Sequence, residues 1–234
     1  MSGDILIGID IGTSGCKVAA FLTSGAALGS VTEPYTVKRN TALEAEQEAE
    51  DWWMAVCNGL KKLMDQRVIE PRRVLAIGVV GHSWATLPVD RIGEPLRPAM
   101  LWLDRRSNVE CEEIRRDIGD DYVLRLSGNR IDPSYCVPKM FWIRNHEPQV
   151  YERTYKFLQS NSFIVYRLTG EFTQDISQGY GYYVFDTEKR DWSAEALQKF
   201  GIDRELLPDV YESDTVVGQV TPQAAEETDS ETND

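Results

Sequence analysis

From Ile5 to Ile11 the chain runs ILIGIDI, apolar and β-branched, interrupted only by Gly8 and Asp10. That pattern suits a strand covered on both faces. Gly12-Thr13-Ser14-Gly15 follows as a turn, Cys16 to Leu22 reads as a second strand, and Ala26 to Val37, entered through Ser24-Gly25, as a third. These signals predict a three-stranded antiparallel meander over residues 4–37. Thr41 to Asp51 is acidic, and Trp53, Val56, Leu60 and Leu63 then recur at helical spacing. The acids sit where a helix dipole favours them, at the N-terminus. Val74 to Gly81, VLAIGVVG, reads as a buried central strand. Leu87 to Asp90 is extended, and the apolar run from Pro98 ends in Trp102-Leu103-Asp104-Arg105-Arg106.

The second half predicts a helix from Ser107 to Ile118, with Ser107 as N-cap and Glu110 as its capping-box partner. Shorter helices are expected at residues 121–126 and 137–145, the latter with Pro138 in its first turn. A strand at 155–158, a helix at 162–168 ended by Gly170, an extended stretch from Thr173 to Phe185 and a helix at 192–200 complete the pattern. The result is an α/β domain over residues 1–221. Residues 222–234 carry five of the 13 net negative charges and no basic residue, which reads as a disordered tail or linker.

Composition sharpens this only at the edges. With 42% hydrophobic and 27% charged residues the chain can build a core, and a net charge of −13 argues against a non-specific nucleic-acid binder. No uncharged apolar run approaches the roughly 20 residues of a membrane span, and the first residues lack a secretory pattern. A soluble, cytoplasmic protein is expected. Cys16, Cys57, Cys111 and Cys136 are scattered without C-x-x-C, so free thiols and no zinc are expected.

Asp10 is the chemical anomaly, because a carboxylate in such a strand costs several kcal/mol unless it is paired or works on a cation. Amides and hydroxyls of Gly12, Thr13 and Ser14 could hold phosphate oxygens, with Lys17 adding charge and Asp10 binding Mg²⁺ directly or through water. A plain hairpin turn capped by Asp10 fits the spacing equally. Neither G-x-x-x-x-G-K-[ST] nor G-x-G-x-x-G is present. His82, Ser83 and Trp84 follow an apolar strand, where open α/β sheets bind ligands. Asn129 and Tyr135 lie in a polar loop. Tyr180, Tyr182 and Tyr183 read as packing.

The motifs IGIDIGTSGCK, the Glu46 to Trp53 segment, PLRPAMLWLDRR from Pro95, LTGEF from Leu168 and KRDWS from Lys189 together resemble the FGGY carbohydrate kinases, above all their xylulokinase-like members. The resemblance implies an actin-like, ribonuclease H-like fold whose two domains close on ATP, Mg²⁺ and a small sugar or polyol. It implies that Asp10 organises Mg²⁺, that Gly12, Thr13, Ser14 and Lys17 approach the γ-phosphate, and that His82, Ser83, Trp84, Trp102 and Asp104 face the sugar. Asp104 with Arg105 and Arg106 could equally be an ion pair that fixes the strand end; the sugar contact is the reading adopted, with the arginines mainly structural. Two departures stand out. Xylulokinases and gluconate kinases of the family carry Gln-Met-His, and glycerol kinases Gln-Arg-Glu, where this chain has His82-Ser83-Trp84. The family's catalytic base, an Asp in a Gly-rich segment, is expected beyond residue 234, so no catalytic base is assigned here. His82 is accordingly read as a binding residue. The expectation is the N-terminal domain of a sugar or polyol kinase, without membrane or nucleic-acid partners and with a homodimer left open. The alternative is a non-catalytic sugar- or nucleotide-binding domain. An actin-like ATPase is disfavoured by the Trp52-Trp53 and Trp102 to Arg106 segments.

Overall fold

The computed structural model of the chain describes residues 3–228. Strands β1 (Ile5–Ile11), β2 (Gly15–Leu22) and β3 (Ala27–Pro34) lie antiparallel in the order β3-β2-β1, the meander that the turn signals predict. A two-residue strand β4 (Glu46–Gln47) leads into helix α1 (Ala49–Asp65), after which β5 (Val74–Gly81) runs parallel to β1. The sheet is therefore mixed, with order β3-β2-β1-β5. Its parallel register sets Ile11 opposite Gly81. The residues that follow β1 and β5 thus emerge at the same end of the sheet.

Beyond β5 the chain makes β6 (Leu87–Val89) and β7 (Ala99–Met100), then α2 (Asn108–Asp117), α3 (Asp120–Ser127), α4 (Cys136–His146) and α5 (Pro148–Arg153). Strand β8 (Lys156–Leu158) pairs back on β6, and α6 (Ser160–Thr169) follows. The last part holds β9 (Thr173–Asp175), α7 (Ile176–Gly179), β10 (Phe185–Asp186), β11 (Asp191–Trp192), α8 (Ala194–Phe200), β12 (Asp209–Tyr211) and α9 (Pro222–Thr228).

Two apolar clusters hold these elements. In the first, Ile5, Ile7, Ile9 and Ile11 alternate onto one face of β1 and join Val18 and Ala20 of β2 beneath Trp52, Trp53, Val56, Leu60 and Leu63 of α1. Each such side chain, fully buried, contributes roughly 1.5–3 kcal/mol. Helix and sheet approach closely at Gly59, where a Cβ would lie 2.6 Å from Val18 Cγ2. The second cluster gathers α2, α3, α4 and α8 around Tyr182, Tyr183 and Phe185.

Several expectations are corrected. Strand β5 is not central but the edge of the described sheet, and its Leu75 and Val80 are 64% and 61% exposed. Its apolar run reported hydrophobicity, not its place in the sheet. The capping box at Ser107 does not form, because Glu110 is buried against Asn145 and His146 instead of reaching back to the helix start. The stretch from Thr173 to Phe185 is broken by α7 rather than extended throughout. Residues 222–228 are helical, held by Glu227 Oε2, which accepts from Trp53 Nε1 at 2.6 Å and Arg167 at 3.0 Å. The rest of the expected tail, 229–234, lies outside the described residues. No helix among the described residues is long and apolar enough to cross a membrane. All four cysteines are buried free thiols.

Candidate active site

The β1–β2 turn is tied down through its carbonyls. The Tyr35 hydroxyl donates to Gly12 O at 2.7 Å, Gln47 Nε2 to Thr13 O at 2.8 Å, and the Tyr35 amide to Ser14 O at 3.3 Å. The amides of Thr13 and Ser14 donate to no protein group among the described residues. The Gly12 amide, expected to face phosphate, is instead spent on Gly15 O at 3.0 Å. A loop that uses its carbonyls on the protein and keeps the Thr13 and Ser14 amides free is equipped to receive an anion. Gly15 is required here, since a Cβ would fall 2.7 Å from Glu33 O.

Asp10 lies directly across from Lys17 in the hairpin register, and both are exposed. Asp10 caps none of the loop amides, and no side chain pairs with it among the described residues. Among those residues no cluster of three His, Cys, Asp or Glu could hold a metal ion. One free carboxylate beside free amides and hydroxyls fits Mg²⁺ as it accompanies a nucleotide, held by one or two carboxylates with phosphate and water completing its shell. Cys16, next to the turn, is no nucleophile, because burial, then the Asp10 and Glu33 charges, push its thiol up to about 12.

His82 sits against this loop. Its amide donates to Ile11 O at 2.7 Å, its Nδ1 lies 3.1 Å from the same oxygen, and its ring meets Trp52 edge-on at 5.4 Å. The carbonyl contact assigns the proton to Nδ1, leaving Nε2 as an acceptor that is buried and without a protein partner. Burial holds His82 neutral, pulling it down to about 4 against the backbone bonds that favour its charged form. Such a group accepts a hydroxyl hydrogen bond; it is too weak a base to take a proton near neutral pH. The Ser83 hydroxyl makes no hydrogen bond among the described residues.

Trp84 adopts φ +65, and its amide donates to Gln159 Oε1 at 2.9 Å. Its ring lies 4.4 Å from that of Tyr135 and 5.9 Å from that of Tyr180, edge-on to the latter. Tyr135 in turn donates to Asn129 Oδ1, and Asn129 Nδ2 to Tyr180 O, so the polar loop closes this aromatic wall. Trp102, 40% exposed, reaches back to the turn and donates from Nε1 to Thr13 Oγ1 at 3.2 Å. The structure thus brings Asp10, the Gly12–Lys17 turn, His82 and Trp102 to one end of the sheet.

Asp104 is a correction. Expected to face the sugar, it is fully buried and spent within the protein, accepting from the Ala45 amide at 2.8 Å and from the Arg106 amide and guanidinium at 2.8–3.1 Å. Arg106 also reaches Glu46, which Arg97 pairs from the other side, and both guanidiniums lie over the Trp142 ring. The network anchors the segment that carries Trp102. Gln159 and Lys139 stand outside the residues that the sequence singles out, and Gln47 stands only within the Glu46 to Trp53 motif, with no role attached. Lys139 had a signal, as the lone cation in the apolar run CVPKMFWI. It is fully buried, its Nζ donates to Trp84 O at 2.7 Å and Ser134 O at 2.6 Å, and burial pulls it down to about 8.

Residues 5–232 match the model of the FGGY family of carbohydrate kinases, N-terminal domain, and the chain belongs to that family. It is 35% identical over 219 residues to the xylulose kinase of Escherichia coli strain K12, covering 94% of this chain and 44% of that protein. The crystal structure of xylulose kinase from Rhodospirillum rubrum superposes with a TM-score of 0.89 at 25% identity, over 96% of this chain and 46% of that one. Gluconate kinase from Lactobacillus acidophilus shares the fold, with a TM-score of 0.89 at 21% identity over 97% and 46% of the two chains. The chain thus spans less than half the length of the relatives it matches.

Proposed function

We propose that this domain supplies the phosphate-facing turn and part of the acceptor wall of an ATP- and Mg²⁺-dependent sugar or polyol kinase. The observation that carries the reading is the convergence of a turn with free amides, an unpaired carboxylate and an unpartnered imidazole acceptor at the ends of two parallel strands. When bound, Mg²⁺ would neutralise phosphate charge during transfer of the γ-phosphoryl group. Asp10 would hold the ion, and Thr13, Ser14 and Lys17 would orient the phosphate oxygens. His82 Nε2 would accept from an acceptor hydroxyl, Trp84 and Trp102 would shape the acceptor space, and Asp104 would support it from behind. Positioning of this kind is worth as much as ~7–11 kcal/mol of barrier. The general base would come from the other half of the whole protein, since His82 is held neutral at too low a pKa for that task.

The test is binding to the purified chain, followed by NMR of its indole and imidazole groups. D-xylulose or glycerol is expected to shift His82, Trp84 and Trp102, and Mg²⁺ with a non-hydrolysable ATP analogue to shift the amides of Thr13 and Ser14. Saturable binding of neither class would overturn the reading.

A further inference from the structure

Lys139 stands one turn into α4 and is fully buried, yet both of its hydrogen bonds go to neutral carbonyls, Trp84 O and Ser134 O. Burying an ammonium without a carboxylate is costly, and a methionine would fill the same space without that cost. The two carbonyls are not arbitrary. One belongs to Trp84 itself, and the other to the residue directly before Tyr135, whose ring lies 4.4 Å from the indole. Trp84 also needs holding, because φ +65 is a conformation that a bulky side chain avoids. It is gripped on both sides, its amide by Gln159 Oε1 and its carbonyl by Lys139 Nζ. Gln159 is itself buried and fixed by donating to Gln178 O at 2.9 Å.

We propose that Lys139 is a positioning residue, which clamps the Trp84 and Ser134 carbonyls so that the Trp84–Tyr135 pair forms a fixed wall of the acceptor site. This rests on the kinase reading above for the identity of the acceptor. The ammonium is well suited to the task, since it offers three donors from one point and no acceptor. Lys139 sets acceptor affinity without touching the acceptor.

The experiment compares the wild-type chain with Lys139→Met, Lys139→Gln and Trp84→Phe. The near-ultraviolet circular dichroism lost in Trp84→Phe defines the signature of the Trp84–Tyr135 pair. Lys139→Met is expected to lose at least half of that signature and to weaken D-xylulose binding tenfold or more. Its affinity for Mg²⁺ with a non-hydrolysable ATP analogue should stay within twofold. Lys139→Gln, which keeps a donor, is expected to recover part of both. A folded Lys139→Met with the full signature and unchanged D-xylulose affinity would overturn the proposal. Where Lys139→Met does not fold, the wild type decides: the Lys139 ¹³Cε and the Trp84 indole should both be rigid by NMR relaxation, and a mobile Lys139 ammonium beside a rigid Trp84 overturns it. A wild type that binds neither D-xylulose nor glycerol removes the acceptor reading itself, and the aromatic signature then decides alone whether Lys139 holds the wall.

Discussion

The Trp102 indole donates to the Thr13 hydroxyl across 3.2 Å, joining the segment after β7 to the turn between β1 and β2. The two are 89 positions apart in the chain, and neither ring nor hydroxyl is buried. A bond of this kind contributes about 0.5–1.5 kcal/mol at most. Trp102→Phe should therefore move Tm by only a few degrees while weakening acceptor binding. Calorimetry with D-xylulose alongside a melting curve checks this, and an unchanged affinity would confine Trp102 to a structural role.

Asp10 is exposed and its carboxylate makes no hydrogen bond or ion pair among the described residues, so Asp10→Asn should leave Tm within about 1 °C, a surface substitution costing at most ~0.5 kcal/mol. Its effect should appear only with metal. Affinity for a non-hydrolysable ATP analogue should fall in the presence of Mg²⁺ and stay unchanged in EDTA. A clear drop in Tm with intact Mg²⁺-dependent binding would make the opening stretch a capped turn.

The opening hairpin and the helix α1 were legible because alternation, Gly-rich turns and helical spacing are local signals; the segment between β3 and α1 was not, since of the acids expected at the helix start only Glu50 and Asp51 stand in its first turn and Glu46 lies in β4. The site was legible where the chain itself brings residues together, as in Asp10 to Lys17. It was not legible where function depends on burial. Asp104 and Lys139 are a carboxylate and a cation in similarly apolar surroundings, and sequence cannot say that one is spent on Arg106 while the other meets only carbonyls. Strand β5 misled for the same reason, since hydrophobicity reports a need for cover without naming the neighbour. The helix over residues 222–228 depends on Trp53 and Arg167, 174 and 60 positions away from Glu227.

The buried network offers a sharper test of the Asp104 correction. Removing one partner of a buried, hydrogen-bonded ion pair leaves the other uncompensated and costs about 3–5 kcal/mol. Asp104→Ala should strip Arg106 and the Ala45 amide together, lowering Tm on the order of 10 °C for a domain of this size. Differential scanning calorimetry measures it. Near-normal stability with abolished D-xylulose binding would return Asp104 to the acceptor site.

His82 gives the domain a defined pH dependence. Its folded-state value is depressed to about 4 by burial, against about 6.5 for an unperturbed histidine. Between those values the unfolded chain binds a proton that the folded chain refuses, so stability rises with pH across this window. The contribution is complete above pH 6.5 and is lost as pH falls toward 4, at up to ~1.4 kcal/mol per pH unit. Carboxylates begin to titrate near the bottom of that range, so the informative interval is pH 6.5 to 5. His82→Gln keeps a side chain of similar polarity but cannot take up the proton, and its stability should be flatter there than that of the wild type. Urea unfolding at half-unit pH steps on both proteins gives the difference directly. Parallel curves would mean that His82 protonates freely in the folded state, and its bare Nε2 would then be no fixed acceptor for a sugar hydroxyl.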